Sequence, residues 1–209
     1  MIALSTLLAF AATCAIIEIT PGPNMAYLAA LSLSRGWRTG LAAVAGVALG
    51  LSVYGIAAAL GVAAVIEHSA ILYETLRWGG VAYLLWLAWD AWSTADDITR
   101  DDAPADGHAR VSAFRRGLIT NLLNPKAAIF YVAVLPEFLN VGAGRIATQT
   151  LTLSAIYVTI ATLIHAAIVL SASRLRGVIV KPEQVRRIRR VLALALVVIA
   201  VWLAWSTAK

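Results

Sequence analysis

The stretch from Leu41 to Ile66 contains no charged residue, and few folds are open to a chain that carries such a run. Crossing the hydrocarbon core of a bilayer takes roughly 20 apolar residues in a helix, and this stretch is long enough to cross with some tilt. Five further stretches qualify or come close: Ile2 to Ile19, Ala70 to Trp92, Gly117 to Leu135, Ile146 to Ser173 and Val191 to Ala208. Of the 209 residues, 61% are hydrophobic and 13% charged. A soluble domain is nearer half apolar and a quarter charged, so a water-soluble core, a disordered chain and a collagen-like repeat are excluded. The apolar runs are continuous and do not alternate, which argues against a membrane β-barrel. The expected fold is an all-α integral membrane protein of six transmembrane helices. The first stretch has no basic n-region and is longer than a signal peptide's apolar core, so a retained helix is expected there.

The net charge of +6 comes from short basic clusters between apolar segments, a pattern of membrane orientation rather than nucleic-acid binding. Thirteen of the 17 Lys and Arg residues fall in the connections after the first, third and fifth stretches. These are Arg35 and Arg38; Arg100, Arg110, Arg115 and Arg116; and the cluster from Arg174 to Arg190. The positive-inside rule then puts both termini outside the cytoplasm. The connector 93–116, with five aspartates beside its arginines, reads as a solvated cytoplasmic loop. It divides the chain into a first half, 1–92, and a second half, 117–209. Three helices per half make a repeated half enter the membrane inverted, an architecture that recurs in secondary transporters. The single cysteine, Cys14, excludes a disulfide framework or a Cys-based zinc cluster, and no motif calls for a cofactor or metal.

Each half opens with a stretch that is interrupted. Thr20-Pro21-Gly22-Pro23-Asn24 breaks the first helix before an apolar piece, Met25 to Leu33, resumes. Proline removes a backbone donor and glycine relaxes the backbone, so no regular helix continues through this sequence. Asn124-Pro125-Lys126 interrupts the fourth stretch in the same way, after Asn121. Irregular backbone at membrane depth survives only when buried in protein or lining a wet cavity. New helix N-termini there offer donors to an anion, and Lys126 adds a cation. Gly22, Pro23, Asn24, Asn124, Pro125 and Lys126 are therefore the candidate substrate-binding residues. The bland alternatives are a surface turn at the first motif and a snorkelling lysine at the second.

Three titratable groups are candidates for proton coupling. Glu18 ends the first apolar run, Asp90 lies in the tryptophan-rich Trp86 to Trp92 segment, and His165 is inside the fifth stretch. Intramembrane carboxyls and imidazoles of this kind mark ion paths or satisfy packing and boundary needs. Gly46 and Gly50 form a small-xxx-small pair that permits close helix packing, within the chain or in a homodimer.

Pro21-Gly22-Pro23-Asn24, Arg35-Gly36 with Gly40, and Asn124-Pro125-Lys126 together resemble the LysE/RhtB family of amino-acid exporters. Ala82 to Leu87 and Leu135-Pro136-Glu137-Phe138 are similar to that family as well, and the likeness covers essentially the whole chain. The resemblance implies a bacterial inner-membrane exporter of amino acids or related metabolites, driven by the proton motive force. Its partners would be a small-molecule substrate, protons and the lipid bilayer. The chain departs from the family pattern at Glu137, where Gln is commoner, and at Asp90, where a basic or neutral residue is commoner. Two other classes compete. An intramembrane serine hydrolase would use Ser52 with His165, but it lacks a glycine after the serine and ignores both proline motifs. An accessory membrane subunit has no need of Lys126, and a passive channel would carry flux that follows the substrate gradient and ignores an imposed pH gradient.

Overall fold

The computed structural model describes residues 2–19, 22–61, 107–140, 142 and 144–178, with individual positions between 78 and 93 and between 183 and 205. All regular structure among the described residues is helical. Helix α1 spans Leu4–Ile19 and α2 spans Pro23–Ala59. Helix α3 spans Gly107–Leu122 and α4 spans Pro125–Ile129. A π-helical turn, Phe130–Val134, and a 3-10 turn, Leu135–Phe138, continue from α4. Helix α5 spans Ile146–Val178. The described positions between 78 and 93 and between 183 and 205 are helical too.

Helices α2 and α5 are long and apolar enough to cross a membrane, and α3 with the segment to Phe138, bent by 52°, makes a third span if counted as one. A straight helix over 24–59 would be about 54 Å long, well beyond a hydrocarbon core of about 30 Å. Gly36 resolves the excess. Its backbone leaves the helical region for φ 79°, ψ 174°, which glycine adopts without steric cost. A Cβ on Gly40 would lie 3.3 Å from Cβ of Ser32, whereas a continuous helix separates these positions by about 12 Å. Helix α2 is thus a hairpin of two arms, 23–35 and 37–59. The Arg35 and Arg38 connection expected as a loop is this kinked helical turn, and the apolar piece after the first proline motif is its first arm. Likewise α3 begins at Gly107, upstream of the expected start at Gly117.

Close approaches between helices fix their directions. The second arm of α2 meets α3 at Gly46 against the Phe114 carbonyl, at Gly117 against the Ala43 carbonyl and at Gly50 against Asn121. These two helices therefore run parallel. Helix α5 runs antiparallel to both, since Gly40 abuts Val169 while Gly55 abuts Ser154. Gly46 and Gly50 thus spend their small size on packing inside the chain. The same directions bring Arg35, Arg38, Arg110, Arg115, Arg116 and Arg174 to one end of the bundle. The outer faces stay apolar: Leu49, Val53, Ile56 and Leu60 form one exposed stripe on α2, and Leu4, Leu8, Ile16 and Ile19 are exposed on α1. In water such stripes promote aggregation; in a bilayer they face the solvent they need.

The interior is divided. Tyr27, Leu28, Ala43, Val44, Ala113, Val169 and Ala200 form an apolar cluster toward the cationic end. Phe10, Cys14, Val47, Leu51, Phe130, Tyr131, Leu135, Leu153, Tyr157 and Ala161 form a second toward the other end. Between them the chain places buried polar groups: Glu18 and Asn24 between Cys14 and Tyr27, Asn121 and Asn124 between Ala113 and Ala127, and His165 between Ala161 and Val169.

Gly46→Val drives a side chain into the α3 backbone, and overpacking of that kind costs about 1–3 kcal/mol. Gly79, whose Cβ would meet only Leu123 at 3.8 Å, is the control. Thermal unfolding in detergent should show a clear fall in Tm for Gly46→Val and, for Gly79→Ala, a change within about 0.5 kcal/mol.

Candidate functional site

The polar layer is built where helices stop. Helix α1 ends at Ile19 and α2 starts at Pro23, with Gly22 extended at its N-cap (φ −156°, ψ 176°) and its carbonyl accepting from Ala26 N at 3.1 Å. Helix α3 ends at Leu122 and α4 starts at Pro125. Proline suits a first helical position, where its missing N–H has no intrahelical partner to lose. Asn124 caps α4: its Oδ1 accepts from Lys126 N at 3.1 Å, a role for which asparagine is well fitted. Lys126 follows at once in the first turn of α4.

The polar residues beside both interruptions are buried: Glu18 is 5% exposed, Asn24 6% and Asn124 5%. Asn24 Nδ2 donates to Asn121 Oδ1 at 2.9 Å, tying one interruption to the other across the chain. Asn24 Oδ1 and Asn121 Nδ2 make no hydrogen bond among the described residues. One acceptor and one donor are left over whichever way the two amides are turned.

Glu18 is the hub of the layer. Tyr157 Oη donates to its Oε1 at 2.7 Å, and His165 Nε2 lies 3.3 Å from its Oε2. Lys126 stands within coulombic reach of the same carboxyl. Burying an ionised group is costly unless it is paired and hydrogen-bonded, and these three neighbours supply that. Because Lys126 is only half-buried, its ammonium reaches this layer without being sealed in it.

The structure therefore brings Glu18, Asn24, Asn124, Lys126 and His165 into one layer, with Gly22, Pro23 and Pro125 at the helix starts that frame it. Asp90 lies outside the described residues. Ser52 donates to the Ala48 carbonyl of its own helix at 2.8 Å, and no described hydrogen bond joins it to His165. Sequence reasoning passed over Tyr157 and assigned no role to Asn121. Tyr157 had a signal: Thr150, Ser154, Tyr157 and His165 recur at helical spacing, and all four are buried on one face of α5. Asn121 acquires meaning only through Asn24, its partner in the other half.

A bundle with lipid-facing stripes, a cationic end and a buried polar layer at two helix interruptions has the anatomy of a membrane translocator. The chain belongs to the LysE type translocator family, which matches residues 15–207. It is 27% identical over 182 residues, 87% of each chain, to the homoserine/homoserine lactone efflux protein of Salmonella typhi. A protein of the same description from Salmonella typhimurium is 30% identical over 131 residues, 63% of each chain. The leucine efflux protein of an Enterobacter species is 35% identical over 141 residues, 66% of this chain and 65% of its own. No solved structure gives a significant match.

The Asn24–Asn121 bond lends itself to a double-mutant cycle. Asn24→Ala and Asn121→Ala should each destabilise, because each leaves a buried amide unpaired. The double variant should be less destabilised than the sum by about 0.5–1.5 kcal/mol. Unfolding in detergent reads the difference, and strict additivity would mean the two amides do not interact.

Proposed function

We propose that this chain is a secondary exporter of amino acids or closely related metabolites, exchanging substrate for protons at the layer between the two interruptions. Membership of a translocator family and similarity to amino-acid efflux proteins support the substrate class. The observation that carries the mechanism is the electrostatic approach of Glu18 and Lys126, opposite charges at the two interruptions, within the buried polar layer. An amino acid carries the complementary pair. Its carboxylate goes to the Lys126 ammonium, and its ammonium goes to Glu18. Asn24 and Asn124, with the backbone around Gly22 and Pro23, line the same place.

Such an arrangement gives exchange directly. A proton and a substrate ammonium compete for one carboxyl, so Glu18 leaves the cytoplasmic side holding substrate and returns holding a proton. His165 shares the carboxyl's second oxygen and is the group through which that proton arrives and departs. Asp90 is a further proton-coupling candidate on sequence grounds alone. The architecture proposed is six spans in two inverted three-helix halves, 1–92 and 117–209, joined by the connector 93–116. Helix α1 with 23–35 makes the first span and α3 with the segment to Phe138 the fourth, so each half opens with an interrupted helix. The cationic end faces the cytoplasm by the positive-inside rule, which puts both termini in the periplasm of a bacterial inner membrane. Rocking of one half against the other opens the layer to each side in turn.

Proteoliposomes preloaded with a mixed amino-acid pool test this. An imposed proton gradient should accelerate loss of one or a few amino acids, with homoserine and leucine the first to assay. Lys126→Ala should reduce that efflux at least about tenfold, the loss expected when a charged hydrogen-bonding partner is removed. Flux that ignores the proton gradient would indicate a passive channel. Loss of no amino acid under either condition would remove the exporter reading.

A further inference from the structure

Among the described residues, Tyr157 is the one ring that touches both the carboxyl of Glu18 and the segment that follows Lys126. Its hydroxyl donates to Glu18 Oε1 at 2.7 Å. Its ring stacks on Phe130, with centroids 3.7 Å apart and planes 20° apart, and meets Tyr131 edge-on at 5.7 Å. Phe130 and Tyr131 begin the π-helical turn that continues α4, and π-turns inside helices often mark functional sites. Tyr131 is anchored in its turn by its hydroxyl, which donates to the Leu51 carbonyl at 2.9 Å. Tyr157 itself is 1% exposed, so its hydroxyl has no alternative partner in solvent.

Resting on the exchange reading above, we infer that Tyr157 is a positioning residue for Glu18, setting which carboxyl oxygen takes the proton and linking that oxygen to the position of the α4 segment. With Oε1 held by Tyr157, the other oxygen, Oε2, faces His165 Nε2 at 3.3 Å. The transported proton bonds to Oε2 and is released from Oε2, while Tyr157 keeps its own proton throughout. The titratable groups around Glu18 are then His165 and Tyr157 from α5, Lys126 and Tyr131 from α4 and its continuation, and Cys14 one turn back on α1. Of these, only Tyr157 makes a hydrogen bond to Glu18 and an aromatic stack on the α4 continuation. A shift of α4, as when substrate engages Lys126, moves Phe130, and the stack carries that movement to the carboxyl.

The test is the pH profile of substrate exchange in proteoliposomes equilibrated to the same pH inside and out. Tyr157→Phe keeps the ring and its stack but loses the donated hydrogen bond. A bond donated to a carboxylate favours the ionised form, which is the form that takes a substrate ammonium. Without it protons compete better, so the half-maximal point of exchange should move to higher pH by about one unit, about tenfold in proton competition. Exchange at pH well above that point should stay within about twofold of wild type, a pattern that general loss of structure would not produce. Phe130→Leu, which keeps the hydroxyl and removes the stack, should shift the profile in the same direction by less. It decides the matter if Tyr157→Phe does not fold. Wild-type profiles in both variants, beside a pH-dependent wild type, would overturn the role of Tyr157 and leave the exchange reading standing. A wild type whose exchange ignores pH would overturn both.

Discussion

A bilayer interior offers no water to hydrogen-bond a backbone, so two helix interruptions at depth oblige the rest of the protein to enclose them. The two interruptions in this chain share their neighbours: Tyr157 and His165 of α5 meet Glu18 before the first, and Asn24 just after it bonds Asn121 just before the second. The side chains gathered there are those that open helix ends and buried charges require: Asn124 on the α4 N-terminus, Asn24 on Asn121, Tyr157 and His165 on Glu18. The polar layer is thus a consequence of the breaks.

Close packing elsewhere makes the layer possible. Gly46 and Gly117 let α2 and α3 approach until backbone meets backbone, and Gly50 admits the Asn121 side chain; in lipid such van der Waals contact is a principal force holding helices together. Gly50 has a second role, since a Cβ there would lie 2.7 Å from Asn121 Nδ2. The glycine leaves the room in which Asn121 reaches Asn24. Aromatic rings seal the side away from the cationic end: Phe10 meets Phe130 and Phe138 at centroid separations of 5.9 and 5.1 Å.

Much of this was legible in the sequence because bilayer physics leaves strong traces. Long uncharged runs, basic clusters and proline interruptions are each read without knowing any contact. That is how the helical class and the candidate residues Glu18, Asn24, Asn124, Lys126 and His165 stand out, while the family rests on the resemblance of its motifs. Other features were hidden for a physical reason. The connection at Arg35 and Arg38 reads as a loop, and hydropathy gives no sign that helix continues up to a single positive-φ glycine on both sides. The start of α3 at Gly107 lies in charged sequence that hydropathy assigns to a loop. Tyr157 shows in the sequence only as part of a periodic buried face of α5, and Asn121 not at all, because the roles of both come from partners far away in sequence.

The claim most exposed to test is that substrate and proton compete for Glu18. Purified protein in weakly buffered detergent, titrated with whichever amino acid it exports, should release protons as substrate binds at pH values where Glu18 is partly protonated. Linkage requires the reciprocal effect, a substrate affinity that rises with pH over the same range. Glu18→Gln should abolish the release, while Asp90→Asn should leave it intact. Substrate binding in the wild type with no proton released at any pH, or an undiminished release in Glu18→Gln, would contradict the account.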